Sequence, residues 1–226
     1  MTKATPPEKT KGKQRIIQGD CIEVMRGFPA ESVDFVLTDP PYGVNYQDRS
    51  GRAIANDGNQ VNWMQPAFEQ IYRVMKPNSL CICFYGWTKL EDFLTAWRLA
   101  GFRKVAHFSF PKRYTSSMTF VRYMHENAFL LAKGRPALPK HPPDDVLDFP
   151  YSGNALHPTQ KPLAVLIPLI EAFTKKGDLV LDPFSGSGST CAAAKILGRR
   201  YSGIELDPTY QKAAQKRIDE YRVISD

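Results

Sequence analysis

No run of about 18 consecutive apolar residues occurs in the 226-residue chain, so no segment is built to cross a membrane as a helix. Residues Met1 to Arg15 also lack an apolar stretch. They are polar and lysine-rich, which argues against a secretory signal. Cysteine is scarce and shows no pairing pattern. The four thiols, Cys21, Cys81, Cys83 and Cys191, form no C-x-x-C pair, and Cys81 and Cys83 flank Ile82 inside an apolar run. That pattern speaks against a zinc site or a disulfide framework and fits reduced core thiols in a cytoplasmic protein. No metal is expected, and internal repeats and long low-complexity segments are missing too.

What is present is the composition of a soluble globular protein, 42% hydrophobic and 12% aromatic. The length allows one domain with a real core and little room for a second. The formal net charge is +7, and part of it sits in Lys3, Lys9, Lys11, Lys13 and Arg15 against Glu8. We expect a disordered basic tail over residues 1–14 and a single domain over 15–226. The remaining positive excess suits a polyanionic partner.

Apolar runs alternate with helical patterns, which predicts an α/β fold around a mostly parallel sheet. Strands are expected at Arg15–Gln18, Val33–Thr38, Leu80–Tyr85, Val105–Phe110, Ala128–Ala132, Leu179–Leu181 and Tyr201–Ile204. Helices are expected near Cys21–Gly27, over Trp63–Met75, from a Thr88 cap to Ala100 before Gly101, and over Leu163–Thr174, Thr190–Leu197 and Thr209–Tyr221. Residues 134–156 hold five prolines and read as an irregular insert.

Two motifs carry chemistry. Asp182-Pro183-Phe184-Ser185-Gly186-Ser187-Gly188 follows an apolar strand and opens a helix. That is the carboxyl end of a strand, where α/β sheets bind ligands, and its glycines allow close backbone approach. The next strand ends in Glu205, placed to accept ribose hydroxyls. The turn lacks the third glycine of a dinucleotide fingerprint and begins with a carboxylate. A carboxylate repels phosphate but suits an amino-acid ammonium, favouring S-adenosylmethionine over NAD. The second motif, Asp39-Pro40-Pro41-Tyr42, ends strand Val33–Thr38. The Asp39 carboxylate and the Pro40 carbonyl can accept both hydrogens of a conjugated amino group, freeing its lone pair. Consecutive prolines aim that carbonyl, and Tyr42 offers a face to an extruded base.

Together these motifs resemble those of the amino-group DNA methyltransferases. Asp39–Tyr42 is similar to their catalytic motif and Asp182–Gly188 to their F-x-G-x-G cofactor motif. Their permuted order, catalytic first, resembles the β group, most of whose DPPY members methylate adenine N6. The resemblance implies a Rossmann-like S-adenosylmethionine-dependent fold with helices on both faces of a twisted sheet. It implies a catalytic set of Asp39, Pro40 and Tyr42. Its cofactor set is Asp20, Cys21, Thr159, Gln160, Lys161, Asp182, Phe184, Ser185, Gly186, Ser187, Gly188 and Glu205. Asp20 is equally placed to cap the following helix, and Glu205 to start one. DNA is the implied partner, and a homodimer is expected. Tyr46, Arg49 and Arg52 after the catalytic motif, and Lys112, Arg113 and Tyr114 further on, are candidates to meet DNA. The 134–156 insert falls where the family reads its target, and its thin chemistry implies short or relaxed specificity. An N4-cytosine enzyme, usually with Ser in place of Asp39, and a silent DNA-binding protein are the alternatives.

Overall fold

The computed structural model describes residues 14–43, 58, 61–151 and 160–223. In chain order the elements are β1 (Arg15–Gln18), α1 (Cys21–Arg26), β2 (Val33–Thr38), α2 (Met64–Val74), β3 (Met75–Phe84), α3 (Leu90–Ala100) and β4 (Arg103–Pro111). A small hairpin follows, β5 (Ser117–Met118) and β6 (Arg122–Tyr123), then β7 (His125–Lys133), α4 (Leu163–Phe173), β8 (Leu179–Asp182), α5 (Ser189–Ile196), β9 (Arg200–Glu205) and α6 (Pro208–Glu220). Seven strands form one sheet in the order β1-β9-β8-β2-β3-β7-β4. The first five run parallel, and β7 lies antiparallel between β3 and β4. This is the mostly parallel α/β sheet that the alternating pattern predicts.

Strand alternation sorts the core into two layers. Phe35, Leu37, Ile82 and Phe84 face one side, where α4, α5 and α6 contribute Leu166, Ile170, Ala193 and Ile218. Val36, Cys81 and Cys83 face the other, against Met25, Phe68, Ile71, Phe93 and Trp97 of α1, α2 and α3. Helices therefore cover both faces, as a buried parallel sheet requires. All four cysteines are buried and free. Among the described residues no helix is long and apolar enough to cross a membrane.

Three local readings are corrected by the structure. β3 begins at Met75 rather than Leu80, because Val33 pairs with Met75 and Phe35 already with Leu80. Pro77 has no N–H to give a ladder, so it sits in the irregular stretch between those pairs. Thr88 does not cap α3; it lies in a short 3-10 turn, Trp87–Lys89, and the cap position falls to Lys89 without a side-chain bond. The β5–β6 hairpin has no counterpart among the expected elements, since two-residue strands carry no readable period. The described part of the 134–156 insert runs beside β4. Ser109 N–H donates to Asp145 C=O at 2.8 Å, and Leu147 and Phe149 N–H donate back to Ser109 and Pro111. It thereby covers an edge that would otherwise present unpaired backbone groups.

Candidate active site

Strands β1, β9, β8 and β2 are adjacent and parallel, so their carboxyl ends open on one edge of the sheet. Each end carries an acid: Asp20 after β1, Glu205 at the end of β9, Asp182 at the end of β8 and Asp39 after β2. At the usual strand spacing the row from Asp20 to Asp39 covers about 14 Å, the scale of a nucleoside joined to an amino acid. The chain leaves β8 toward β9 and leaves β2 toward β3. That divergence makes the β8/β2 gap a topological switch point, where such sheets hold ligands.

The two motifs meet there. Thr38 Oγ1 donates to Asp182 Oδ1 at 2.9 Å, tying the tip of β2 to the tip of β8 across 144 residues of sequence. Asp39 Oδ1 accepts from the Tyr42 hydroxyl at 2.7 Å, and its Oδ2 accepts from Lys161 Nζ at 2.5 Å. Lys161 also stands 5.8 Å from the Tyr42 ring centroid and 5.0 Å from that of Phe84. Burial pushes the Asp39 carboxyl above its ordinary range, with Lys161 opposing. Burial works against the Lys161 charge as well, but Asp39 and Glu126 outweigh it and hold the ammonium above its usual value. Glu126 lies on β7 and is bonded by Lys112 Nζ at 2.6 Å; burial raises its carboxyl, and the two lysines bring it below normal. The result is a buried chain of alternating charges, Asp39–Lys161–Glu126–Lys112.

Gly86 supports this corner from behind. A methyl group there would lie 2.8 Å from Tyr42 Cβ, although the backbone, with φ −85°, suits any residue. Gly86→Ala should displace Tyr42 from Asp39. We expect activity to fall about tenfold or more while thermal unfolding shifts by only a few degrees. Melting curves run beside turnover would show whether the two losses separate.

On the opposite side of the crevice, the glycine turn is held by its neighbours. Glu205 accepts the Gly186 N–H at 2.8 Å through Oε2 and the Asp207 N–H at 2.9 Å through Oε1. Gly188 has φ +74°, and a Cβ there would meet Ile218 at 2.9 Å, so the turn demands glycine for conformation and for space. Asp182 Oδ1 also accepts the Phe184 N–H at 3.2 Å, and burial pushes its carboxyl up to about 7. Asp20 caps α1, accepting from Ile22 N–H at 2.8 Å and Glu23 N–H at 3.2 Å. The neighbouring Cys21 thiol is pushed up to about 12 by burial and by Asp20, so it stays neutral. Ser185 and Ser187 turn their hydroxyls inward, toward Cys191 and toward Ser189 and Arg217. Each of these hydroxyls thus already has a partner inside the protein. Phe184 packs its ring edge-on to Trp63, centroids 5.2 Å apart. Trp63 has a buried indole N–H without a partner among the described residues.

A family model described as DNA methylase, of the N6/N4 class, matches residues 33–216. The chain belongs to this DNA methylase family. YubD of Escherichia coli (strain K12), which carries the name of a methylase, is 55% identical over 204 residues, 90% of this chain and 89% of YubD. The type II methyltransferase M2.DpnII of Streptococcus pneumoniae is 28% identical over 95% of this chain and 93% of its own. Among solved structures, the DNA modification methylase TTHA0409 of Thermus thermophilus superposes with a TM-score of 0.74 at 23% identity, covering 94% of this chain and all of that one. The M1.HpyAVI–SAM complex gives 0.72 at 23% identity, over 91% and 98% of the two chains. The cytosine-N4-specific PvuII DNA methyltransferase gives 0.72 at 19% identity, over 90% and 89%.

Not every residue singled out in the sequence of this DNA methylase lies in the crevice. Tyr46, Arg49, Arg52 and Thr159 fall outside the described residues, as do residues 1–13. Lys112 is corrected: with its side chain 2% exposed and paired to Glu126, it is unavailable to a DNA phosphate. Arg113 is exposed, 3.8 Å from the equally exposed Asp148. Tyr114 packs edge-on to Tyr151 and receives Lys112 at 5.5 Å. Lys161, which the resemblance places in the cofactor set, bonds Asp39. Sequence reasoning missed Glu126, Gly86 and Trp63. For Glu126 a signal existed: Lys112 follows the expected strand Val105–Phe110 and Glu126 precedes the expected strand Ala128–Ala132, so an antiparallel pairing of the two brings them together.

Proposed function

We propose that this DNA methylase transfers the methyl group of S-adenosylmethionine to N6 of an adenine flipped out of DNA. The observation that supports it best is the meeting of Asp39 and Asp182 at adjacent strand tips. A target amino group and a methyl donor would lie side by side in that crevice. Residues suited to the donor run along the tips: Asp182 for its ammonium, the Gly186–Gly188 backbone for its middle, Glu205 for its ribose and Asp20 for its adenine. When bound, that donor supplies an electrophilic methyl group on sulfur. The chain's own task is orientation and charge placement. Asp39 and the Pro40 carbonyl accept the two amino hydrogens, and Tyr42 braces Asp39 through its hydroxyl. Asp39 keeps lone pairs beyond those taken by Tyr42 and Lys161, because a carboxylate accepts about four bonds.

The alternative is cytosine N4, favoured by the PvuII enzyme sharing this fold. Against it, Asp39 stands where that group usually has Ser. Incubation with labelled S-adenosylmethionine and unmethylated DNA, followed by digestion to nucleosides, tests the choice. N6-methyladenine is the expected product; labelled N4-methylcytosine would replace the reading, and unlabelled DNA would leave a silent binder. The insert is short and poor in side chains that read bases, which favours short or relaxed specificity in a cytoplasmic enzyme. Sequencing DNA from cells expressing the protein checks this, and a single long recognition word would refute it.

The elevated Asp182 carboxyl yields a pH dependence. An ionised Asp182 attracts the donor's ammonium, while a protonated one does not. With its carboxyl near 7, affinity should rise about tenfold between pH 5.5 and 7, below the range in which the donor's amine loses its charge. Calorimetric titration with S-adenosylmethionine at both pH values measures the slope, and Asp182→Asn should flatten it. A slope unchanged in that variant would remove Asp182 from the cofactor set.

A further inference from the structure

We propose that the hairpin between Lys112 and Met124 is a wedge for duplex DNA, with the Phe120 ring entering the base stack beside the extruded target. This rests on the methyltransferase reading above. The hairpin is built for an exposed tip. Ser117 pairs with Tyr123 and Met118 with Arg122, and the Thr119 N–H donates to the Val121 carbonyl at 3.1 Å, which leaves Phe120 at the apex. Its ring is 104% exposed, and Met118 and Val121 beside it are 72% and 58% exposed. None of the three belongs to either core cluster. Three large apolar side chains held in water contribute nothing to this fold, and such a patch marks a contact surface.

The position and charge of the hairpin indicate what it meets. Its root joins the catalytic corner: Lys112 bonds Ser116 at 3.0 Å and Glu126 at 2.6 Å, and Glu126 faces Lys161, the partner of Asp39. Tyr123 stacks on Trp87 with centroids 5.8 Å apart and planes 17° from parallel, and Trp87 follows the Gly86 that backs Tyr42. Thr119 and Tyr123 hydroxyls bond at 3.0 Å, stiffening the tip. Between Lys112 and Met124 the sequence has no acid, while Arg113 and Arg122 are exposed; Asp148, itself exposed, pairs with Arg113. Four residues of extended chain from Ser116 to the apex reach roughly 13 Å, enough to cross a phosphate backbone and meet base edges. An apolar wedge between flanking arginines is the chemistry that unstacks a base step, and stacking on a phenyl ring is tolerant of sequence. Opening a duplex around the target is where such a wedge would act.

The test compares a long unmethylated duplex, amplified in vitro, with the same DNA made single-stranded by digesting one strand. In the wild type both are labelled from tritiated S-adenosylmethionine. Phe120→Ala should lower the ratio of kcat/KM on duplex to that on single strand by about tenfold or more, and Phe120→Trp should restore it. Fluorescence of the introduced tryptophan should fall when duplex is added. An equal effect of Phe120→Ala on both substrates overturns the wedge. A change in sedimentation of the protein alone, with the ratio intact, also overturns it and gives the hairpin to a second copy of the chain. Wild-type protein that labels neither DNA form would instead overturn the underlying methyltransferase reading.

Discussion

Asp39→Ala is expected to abolish methyl transfer while leaving S-adenosylmethionine binding close to that of the wild type. The conjugated amino group of adenine is a weak nucleophile, and in the proposed mechanism Asp39 is the acceptor whose bond strengthens as the nitrogen becomes pyramidal. Removing one such group from a preorganised site costs on the order of a hundredfold to a thousandfold in rate. Cofactor affinity should survive, because Thr38 ties the β2 tip to Asp182 independently of the Asp39 side chain. The variant also strands the Lys161 ammonium, so its melting temperature must be followed. Single-turnover labelling with calorimetry of cofactor binding provides the check. Near-normal turnover would remove Asp39 from the catalytic set, and loss of binding would place it with the cofactor.

The second large effect is expected at Lys161. This lysine is 9% exposed at its side chain and Asp39 19%, so their attraction is only weakly screened. Burial raises the Asp39 carboxyl, and the Lys161 ammonium opposes that rise. In Lys161→Met the opposition is gone, and the carboxyl moves further up. In the proposed mechanism Asp39 accepts an amino hydrogen only when ionised. The acid limb of the pH–rate profile should therefore move to higher pH, with rate lost on the acid side and recovered as the pH rises. Lys161→Arg should return the profile most of the way. A loss that is independent of pH, accompanied by weaker S-adenosylmethionine binding, would instead support the cofactor-binding role that the family resemblance implies.

Much of this protein is legible in its sequence because the relevant signals are local. β1 and β2 begin and end as expected, since short apolar strands bounded by turn residues state their own limits. Gly101 ends α3 at φ +101° because only glycine enters that conformation easily. The Asp39–Tyr42 and Asp182–Gly188 motifs are visible because each is contiguous. The inward partners of Ser185 and Ser187 mark the limit of that legibility. A contiguous motif does not tell which hydroxyls face the ligand and which face Cys191 or Arg217.

The sequence alone determined the α/β class, the order of the two motifs, and the acid that closes each of four strands. Contacts between distant residues were decided only by tertiary structure, because they depend on which strands become neighbours. Strand order brings Thr38 to Asp182, Lys161 to Asp39 and Glu126 to Lys112, and none of these pairs has a local signature. Charge follows from the same packing: it converts Lys112 from an expected surface cation into a buried counter-ion and raises the Asp182 carboxyl toward neutrality. Burial is a property of the folded chain, and it sets whether a charged side chain meets DNA or holds the site together.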